Sequence, residues 1–181
     1  MNHTFSISSL FLIHFLILFP HVRSANDIVR DTCKKIASDR PNFKFDFCVK
    51  SLEADPEGHK VDVEGLGLIG LKLLQANITG TTEYIKQLLK KKWEQRLLKA
   101  LSLCLEYYAL VEGEDYTPLY KAKRYHEVNI RVSGVLTNED SCDTQESRKG
   151  GMVPLLTKHN DDISQLSTIV LFITASFLGG E

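Results

Sequence analysis

Four cysteines constrain the fold of this chain more than any other feature of its sequence. They are Cys33, Cys48, Cys104 and Cys142, in a chain of 181 residues. No two of them have the C-x-x-C spacing of a zinc site, and no histidine cluster accompanies them. An even number of cysteines therefore favours two disulfides, as in secreted proteins. Three pairings are possible, of which the sequential one would close the shortest loops and staple two separate hairpins.

The first 24 residues are typical of a secretory signal peptide. Residues 10–19 are almost entirely apolar and Pro20 ends the run, which is too short for a bilayer span of about 20 apolar residues. The residues at positions −3 and −1 from a cut before Ala25 are small or of moderate size, as signal peptidase prefers, so we expect cleavage after Ser24. The mature chain, residues 25–181, would then be exported without a membrane anchor.

Apolar residues recur at helical spacing along most of the mature chain, and no segment alternates with the period of a strand. We predict helices over these segments: 28–36, 45–52, 63–76, 84–89, 93–108, 128–142 and 163–177. Breaks are expected at residues 80–83, at Gly113 and Pro118, and at residues 150–154. The chain is therefore predicted to be all-α, with an up-down bundle over residues 59–178 and a preceding hairpin of two short helices over residues 25–55.

One glycine motif has a functional interpretation and a structural one. Gly65-Leu66-Gly67-Leu68-Ile69-Gly70 matches the G-x-G-x-x-G pattern of dinucleotide sites. Such a site needs the motif between a strand and a helix of a βαβ unit. The preceding residues 59–63 make a poor strand, and no parallel-strand pattern follows. We therefore predict that these small residues let one helix of the bundle pack closely against another.

No set of residues typical of catalysis is recognisable. Only His59, His126 and His159 follow the signal peptide, and no H-E-x-x-H, G-x-S-x-G or G-x-x-x-x-G-K motif occurs. We predict neither enzymatic activity nor a bound metal or cofactor. Asn77-Ile78-Thr79 is a glycosylation sequon at a predicted helix end, so Asn77 is a candidate glycosylation site in an exported chain.

Three blocks of sequence carry a family resemblance. The first comprises DTCKK at 31–35, DFCVKSL at 46–52 and ADP at 54–56. The second is VNIRVSGVL at 128–136, followed by Cys142, and the third is PLLTKHN at 154–160. Together they resemble the plant invertase and pectin methylesterase inhibitors over nearly the whole mature chain.

The resemblance implies a four-helix up-down bundle with an N-terminal helical hairpin, and the disulfide pairs Cys33–Cys48 and Cys104–Cys142. Residues 110–119 are unusual for the family and put a continuous third bundle helix in doubt here. Because family members bind enzymes one-to-one and carry no catalytic site, the resemblance implies an enzyme inhibitor. With the predicted signal peptide, we expect secretion to the cell wall, with the vacuole as the alternative.

The segment that contacts the target is predicted from its position. Family invertase inhibitors can present a Pro-Lys-Phe tripeptide that enters the invertase active site, and this chain has no such tripeptide. The matching place holds Tyr125-His126-Glu127, preceded by Lys123-Arg124. We predict that these five residues bind the target, because cations there could pair with the active-site carboxylates of an acid invertase.

Three functions from two classes are compatible with this sequence. Inhibition of an acid invertase is the leading hypothesis. Inhibition of pectin methylesterase is the alternative, in which polar side chains of the bundle helices would fill the groove of the enzyme. A secreted helical carrier of apolar ligands is the third, and it predicts a large internal cavity where an inhibitor should have a packed core.

The chain is nearly neutral overall, so its net charge does not point to a charged partner, but one stretch is strongly basic. The whole chain has a formal charge of −1, and loss of Arg23 with the signal peptide would make it −2. The basic residues of the stretch are Lys86, Lys90, Lys91, Lys92, Arg96 and Lys99. Nucleic-acid binding would need an intracellular chain. A solvated helix face is the default interpretation, and loose adhesion to acidic wall pectin is the alternative.

Overall fold

The structure is a computed structural model that describes residues 25–147 and 155–179. Within these ranges it contains helices and no strand, so the all-α prediction is confirmed. The helices are α1 (Ala25–Asp39), α2 (Phe45–Glu53), α3 (Val63–Leu89), α4 (Gln95–Ala109), α5 (Thr117–Lys121), α6 (Tyr125–Ser147) and α7 (Thr157–Leu178). The predicted signal peptide and the predicted turn at residues 150–154 lie outside the described residues.

Four long helices form the bundle. Helix α3 packs against α4 and α7, and α6 also packs against α4 and α7, so that each helix has two neighbours. Each helix contributes fully buried aliphatic side chains to the core between them, for example Leu66, Leu101, Val132 and Ile169. Burial of one such side chain is worth about 1.5–3 kcal/mol, so the shared core holds the four helices together.

Helix α7 contains a long apolar stretch. By length and composition alone it could cross a membrane. Five of its apolar side chains are nevertheless buried against the other helices: Ile163, Leu166, Ile169, Val170 and Ile173. In this fold α7 is therefore a core helix of the bundle.

The N-terminal hairpin, α1 and α2, is closed by the Cys33–Cys48 disulfide and docks on α7 through its turn. The buried amide of Gln165 holds this turn, because its Oε1 accepts the Lys44 N–H at 2.8 Å and its Nε2 donates to the Asn42 carbonyl at 3.3 Å. The Lys44 ammonium also lies 2.7 Å from the Asp161 carboxylate. The disulfide therefore joins the two short helices to each other, and the polar contacts of their turn hold them against α7.

The second disulfide, Cys104–Cys142, joins α4 to α6 inside the core. Both bonds have the pairing that the family resemblance implies. Next to it the buried Asn160 of α7 accepts a hydrogen bond from the Tyr108 hydroxyl at 2.8 Å. Three of the four bundle helices therefore meet at this bond.

The break predicted at residues 80–83 was wrong, because α3 runs through it without interruption. The Thr82 hydroxyl donates to the Ile78 carbonyl one turn back, at 2.9 Å, and Thr81 is fully buried on the core side. Gly80 lies on the exposed side, with open space where a Cβ would be. Burial on one face of the helix outweighs the roughly 1 kcal/mol that a helical glycine costs.

The interruption predicted at Gly113 and Pro118 is confirmed. Helix α4 ends at Ala109, and Gly113 follows with φ of +80°, a conformation that glycine adopts without steric cost. Pro118 then lies in the first turn of α5, where its missing N–H breaks no helical hydrogen bond. The chain between the second and third long helices of the bundle therefore holds a turn and the short α5.

Candidate functional site

Residues 122–127, which we call the α5–α6 corner, contain the predicted target-binding segment. The end of α5 is closed by two backbone hydrogen bonds: Lys123 N–H donates to the Tyr120 carbonyl at 2.9 Å, and Arg124 N–H donates to the Leu119 carbonyl at 3.0 Å. This pair of bonds is a Schellman motif, in which the residue after the helix cap is left-handed. The chain therefore turns sharply from α5 into α6 with no flexible loop between them.

Lys123 occupies the left-handed position of this motif, with φ of +59°. Glycine is usual there, because a side chain in this conformation costs roughly 1–2 kcal/mol. Among the described residues no other non-glycine residue has a positive φ. A strained lysine that other residues hold in place is a candidate for function.

Tyr125 anchors the corner in the core. Only 7% of its surface is exposed, and its ring stacks on Phe177 of α7 at 4.8 Å and meets the edge of Tyr120 at 5.2 Å. Burial, together with the nearby Glu64 carboxylate, raises the pKa of Tyr125 to about 12. The phenol therefore stays neutral, and Tyr125 has little surface left for a partner.

Tyr120 fixes α5 to the first turn of α3. Its hydroxyl donates to the Glu64 carbonyl at 2.7 Å, and burial raises its pKa. This contact depends on Gly67, because a Cβ added there would lie 2.0 Å from the Tyr120 Oη and 2.9 Å from Ile173 Cγ2. The close-packing interpretation of the G-x-G-x-x-G motif is confirmed. The motif lies inside α3, and its second glycine leaves the space that the Tyr120 side chain occupies.

The charged side chains of the corner face solvent. Lys123, Arg124 and His126 are exposed, and Glu127 is partly buried. The Arg124 guanidinium makes a bidentate contact with the Glu127 carboxylate three residues later, and the Lys123 ammonium lies 3.8 Å from Glu64. Exposed pairs of this kind are worth at most about 1 kcal/mol, so either cation can exchange its partner for a carboxylate of another protein.

Asn77 does not lie at a helix end, as the sequence predicted. It is in the middle of α3, and its side-chain amide donates to the Leu73 carbonyl at 3.0 Å. The predicted end was wrong for the same reason as the predicted break at residues 80–83. Glycosylation of Asn77 stays a prediction, which the intact mass of the secreted protein tests.

Two further clusters of polar side chains have no geometry for catalysis or metal binding. His159 stacks on Tyr84 at 4.5 Å and faces the Thr81 hydroxyl at 3.4 Å; burial lowers its pKa, but Thr81 is inaccessible to any substrate. Burial and then its acidic neighbours raise the pKa of Glu139 to about 7. Among the described residues no three histidine, cysteine or acidic side chains converge as metal ligands.

A surface groove of about 1120 Å³ lies between α1 and the α6–α7 face. Its apolar side is formed by Leu136, Leu171 and Phe172, whereas its rim includes the exposed Lys34 and Lys35 of α1. The carrier hypothesis predicts an enclosed internal cavity. This groove is instead open to solvent and partly charged, which does not favour an apolar cargo.

Known proteins match this chain over most of its length. Residues 27–173 match the sequence profile of the family described as "Plant invertase/pectin methylesterase inhibitor". A protein of Platanus acerifolia named "Putative invertase inhibitor" is 38% identical over 176 residues, which are 96% of this chain and 97% of that protein.

Two further matches extend the comparison. The "Cell wall / vacuolar inhibitor of fructosidase 1" of Arabidopsis thaliana is 27% identical over 151 residues, 82% of this chain and 70% of that protein. The crystal structure of a mutant form of a pectin methylesterase inhibitor from Arabidopsis superposes with a TM-score of 0.68 at 21% identity. It covers 79% of this chain and 95% of that one, and the likeness shows the shared fold.

Proposed function

Because the chain belongs to the plant invertase/pectin methylesterase inhibitor family, an inhibitor family without a catalytic role, we propose that it inhibits an acid invertase. It would bind the enzyme one-to-one, through the α5–α6 corner, and block the active site. The Platanus relative with 38% identity over most of the chain, whose name is "Putative invertase inhibitor", supports this target over pectin methylesterase. The cell wall or the vacuole is the proposed compartment, in line with the name of the Arabidopsis relative.

The observation that carries the proposal is the rigid display of cations at the corner. Glycoside hydrolases of this type work with a pair of carboxylates in the active site. Arg124 can hold a carboxylate through two parallel hydrogen bonds, and Lys123 and His126 flank it on the same exposed turn. Because the Schellman motif and buried Tyr125 hold the backbone, little backbone entropy is lost on binding, and the cost is limited to ordering the side chains.

Each residue of the predicted segment then has a role. Lys123, Arg124 and His126 contact the enzyme. In the free protein Glu127 orients the Arg124 side chain, and on binding a carboxylate of the enzyme takes the place of Glu127. Tyr125 positions the turn from the core side and has no direct contact with the enzyme.

Replacing Arg124 or His126 by alanine is expected to weaken invertase inhibition about 5- to 150-fold, equivalent to roughly 1–3 kcal/mol for a buried charged contact. Inhibition constants against a purified acid invertase measure the effect, and circular dichroism should be unchanged. Arg96→Ala and His59→Ala are matched controls, because both residues are exposed and lie outside the corner. If the corner variants inhibit as well as the parent, the corner is not the site, and pectin methylesterase becomes the target to assay.

Lys123→Gly is expected to stabilise the protein while weakening inhibition. Glycine adopts the left-handed conformation without the steric cost that lysine has there, so the free energy of unfolding should rise by about 1 kcal/mol. For a domain of this size, this corresponds to a melting temperature higher by about 2–4 °C. Lys123→Ala is the matched control, because it removes the same ammonium without relieving the backbone. Equal losses of inhibition in both variants, with stabilisation only in the glycine variant, are the expected pattern. Stabilisation without loss of inhibition would show that the Lys123 side chain makes no contact with the enzyme.

A further inference from the structure

A second charged surface lies at the other end of the bundle. Lys90, Lys91 and Lys92 form most of the connection after α3, and Arg96 and Lys99 lie on the outer side of the first turns of α4. All five side chains are exposed, and we call this surface the basic tip.

The charge of the basic tip is not balanced within the protein. Residues 83–99 contain six basic and two acidic side chains, in a chain whose total formal charge is −1. Lys86 is neutralised by Glu83 at 2.8 Å and by Glu112 at 3.7 Å. In contrast, the five cations of the basic tip make no ion pair with any described residue. Like charges this close repel each other, so an external polyanion would gain from binding here.

The basic tip and the α5–α6 corner are far apart. The corner contacts Glu64 in the first turn of α3, whereas the basic tip begins where α3 ends. Helix α3 has 27 residues, which corresponds to a length of about 40 Å. A partner at one end therefore leaves the other end accessible.

We propose that the basic tip binds a linear polysaccharide whose repeating units carry carboxylates, an acidic polyuronate. Four of the five cations are lysines, which act as point charges with little geometric demand and so suit a flexible chain of carboxylates. This inference concerns a second ligand, at a surface that the proposed inhibition does not use. Its consequence is that the protein is retained on an acidic matrix while the corner stays free for the enzyme.

An anionic membrane is a poorer fit to the same surface. Surface-binding segments of proteins insert exposed apolar side chains beside their cations. Trp93, the one tryptophan of the chain, is partly buried, and its indole N–H donates to the Leu88 carbonyl at 2.8 Å. The exposed large apolar residues of the described structure are Val63, Leu110, Ile130 and Leu178, all outside the basic tip.

The test is binding of the purified mature protein to polygalacturonate, measured by affinity electrophoresis at low salt. The triple variant Lys90→Gln/Lys91→Gln/Lys92→Gln should bind about tenfold more weakly or worse, and the parent should lose affinity steeply between about 50 and 200 mM salt. Lys34→Gln/Lys35→Gln/Lys50→Gln is the matched control, since it removes the same charge from exposed residues of the hairpin. Arg96→Gln/Lys99→Gln tests the helical part of the surface separately.

Two further measurements complete the design. Highly methyl-esterified pectin, in which the carboxylates are neutralised, should not bind the parent. Invertase inhibition should be unchanged in the basic-tip variants, which separates this proposal from the one for the corner. Equal binding by the triple variant and the parent, equal weakening by the hairpin control, or tighter binding to vesicles of anionic lipid than to polygalacturonate would each overturn the proposal.

Discussion

Replacing both Cys104 and Cys142 by alanine is expected to lower the free energy of unfolding by about 4 kcal/mol, against about 3 kcal/mol for Cys33 and Cys48. The two bonds span 38 and 15 residues respectively. The longer loop has more conformational entropy to regain in the unfolded chain when its bond is removed. Both bonds are fully buried, so burial does not distinguish them, and the expected difference rests on loop length.

Urea unfolding of the parent and of the two double variants measures these differences. Removal of the core bond should shift the whole transition, because α4, α6 and α7 meet there. Removal of the hairpin bond should have a second, local effect: limited proteolysis should cut the turn at residues 40–44, where α1 and α2 are too short to be stable alone. A larger loss of stability in the Cys33/Cys48 variant would show that docking of the hairpin, and not loop length, dominates.

The elements with clear apolar periodicity were predictable from the sequence. Helices α1, α2, α6 and α7 lie where the spacing of their apolar residues placed them. The pairing of the cysteines was not derivable from spacing alone, since three pairings remained open, and it came from the family resemblance. The split between α4 and α5 was predictable because Gly113 and Pro118 act through local conformation.

Helix α3 shows where local reasoning fails. Gly80, Thr81 and Thr82 are each poor helix formers, and their run resembles a break. Two of the three are buried against the other helices, and tertiary packing of that kind routinely overrides intrinsic propensity. The misplaced helix end at Asn77 follows from the same error.

The sequence suggested a position for the candidate site but not its structure. A pattern available in the sequence could have separated Tyr125 from its neighbours: Tyr125, Val128, Val132 and Val135 recur at helical spacing and are all buried. No comparable signal marked Lys123 as left-handed, because glycine is the usual residue there. The supporting contacts of Glu64 and Tyr120 join residues 56 positions apart, and only the fold shows them.

Gly67→Ala is expected to destabilise the protein by about 2–3 kcal/mol, although alanine is the better helix former by about 1 kcal/mol. The added Cβ would lie 2.0 Å from the Tyr120 Oη and 2.9 Å from Ile173 Cγ2. Overpacking of a core costs about 1–3 kcal/mol, and displaced Tyr120 would also lose its hydrogen bond to the Glu64 carbonyl. Steric conflict therefore outweighs helix propensity at this position.

Gly80→Ala in the same helix is the matched control, because nothing lies within 4 Å of the Cβ it would add. That variant should be more stable than the parent by about 1 kcal/mol. The same glycine-to-alanine change is therefore expected to raise the free energy of unfolding at one position of α3 and to lower it at the other. Adding Tyr120→Phe to Gly67→Ala removes the atom in closest conflict and should restore part of the lost stability, which thermal unfolding can measure. Because Tyr120 holds α5 against α3, Gly67→Ala should also displace the corner and weaken invertase inhibition. Equal stabilisation by alanine at both positions would mean that α3 does not approach Tyr120 as closely as this structure has it, and the support for the corner would have to come from Tyr125 alone.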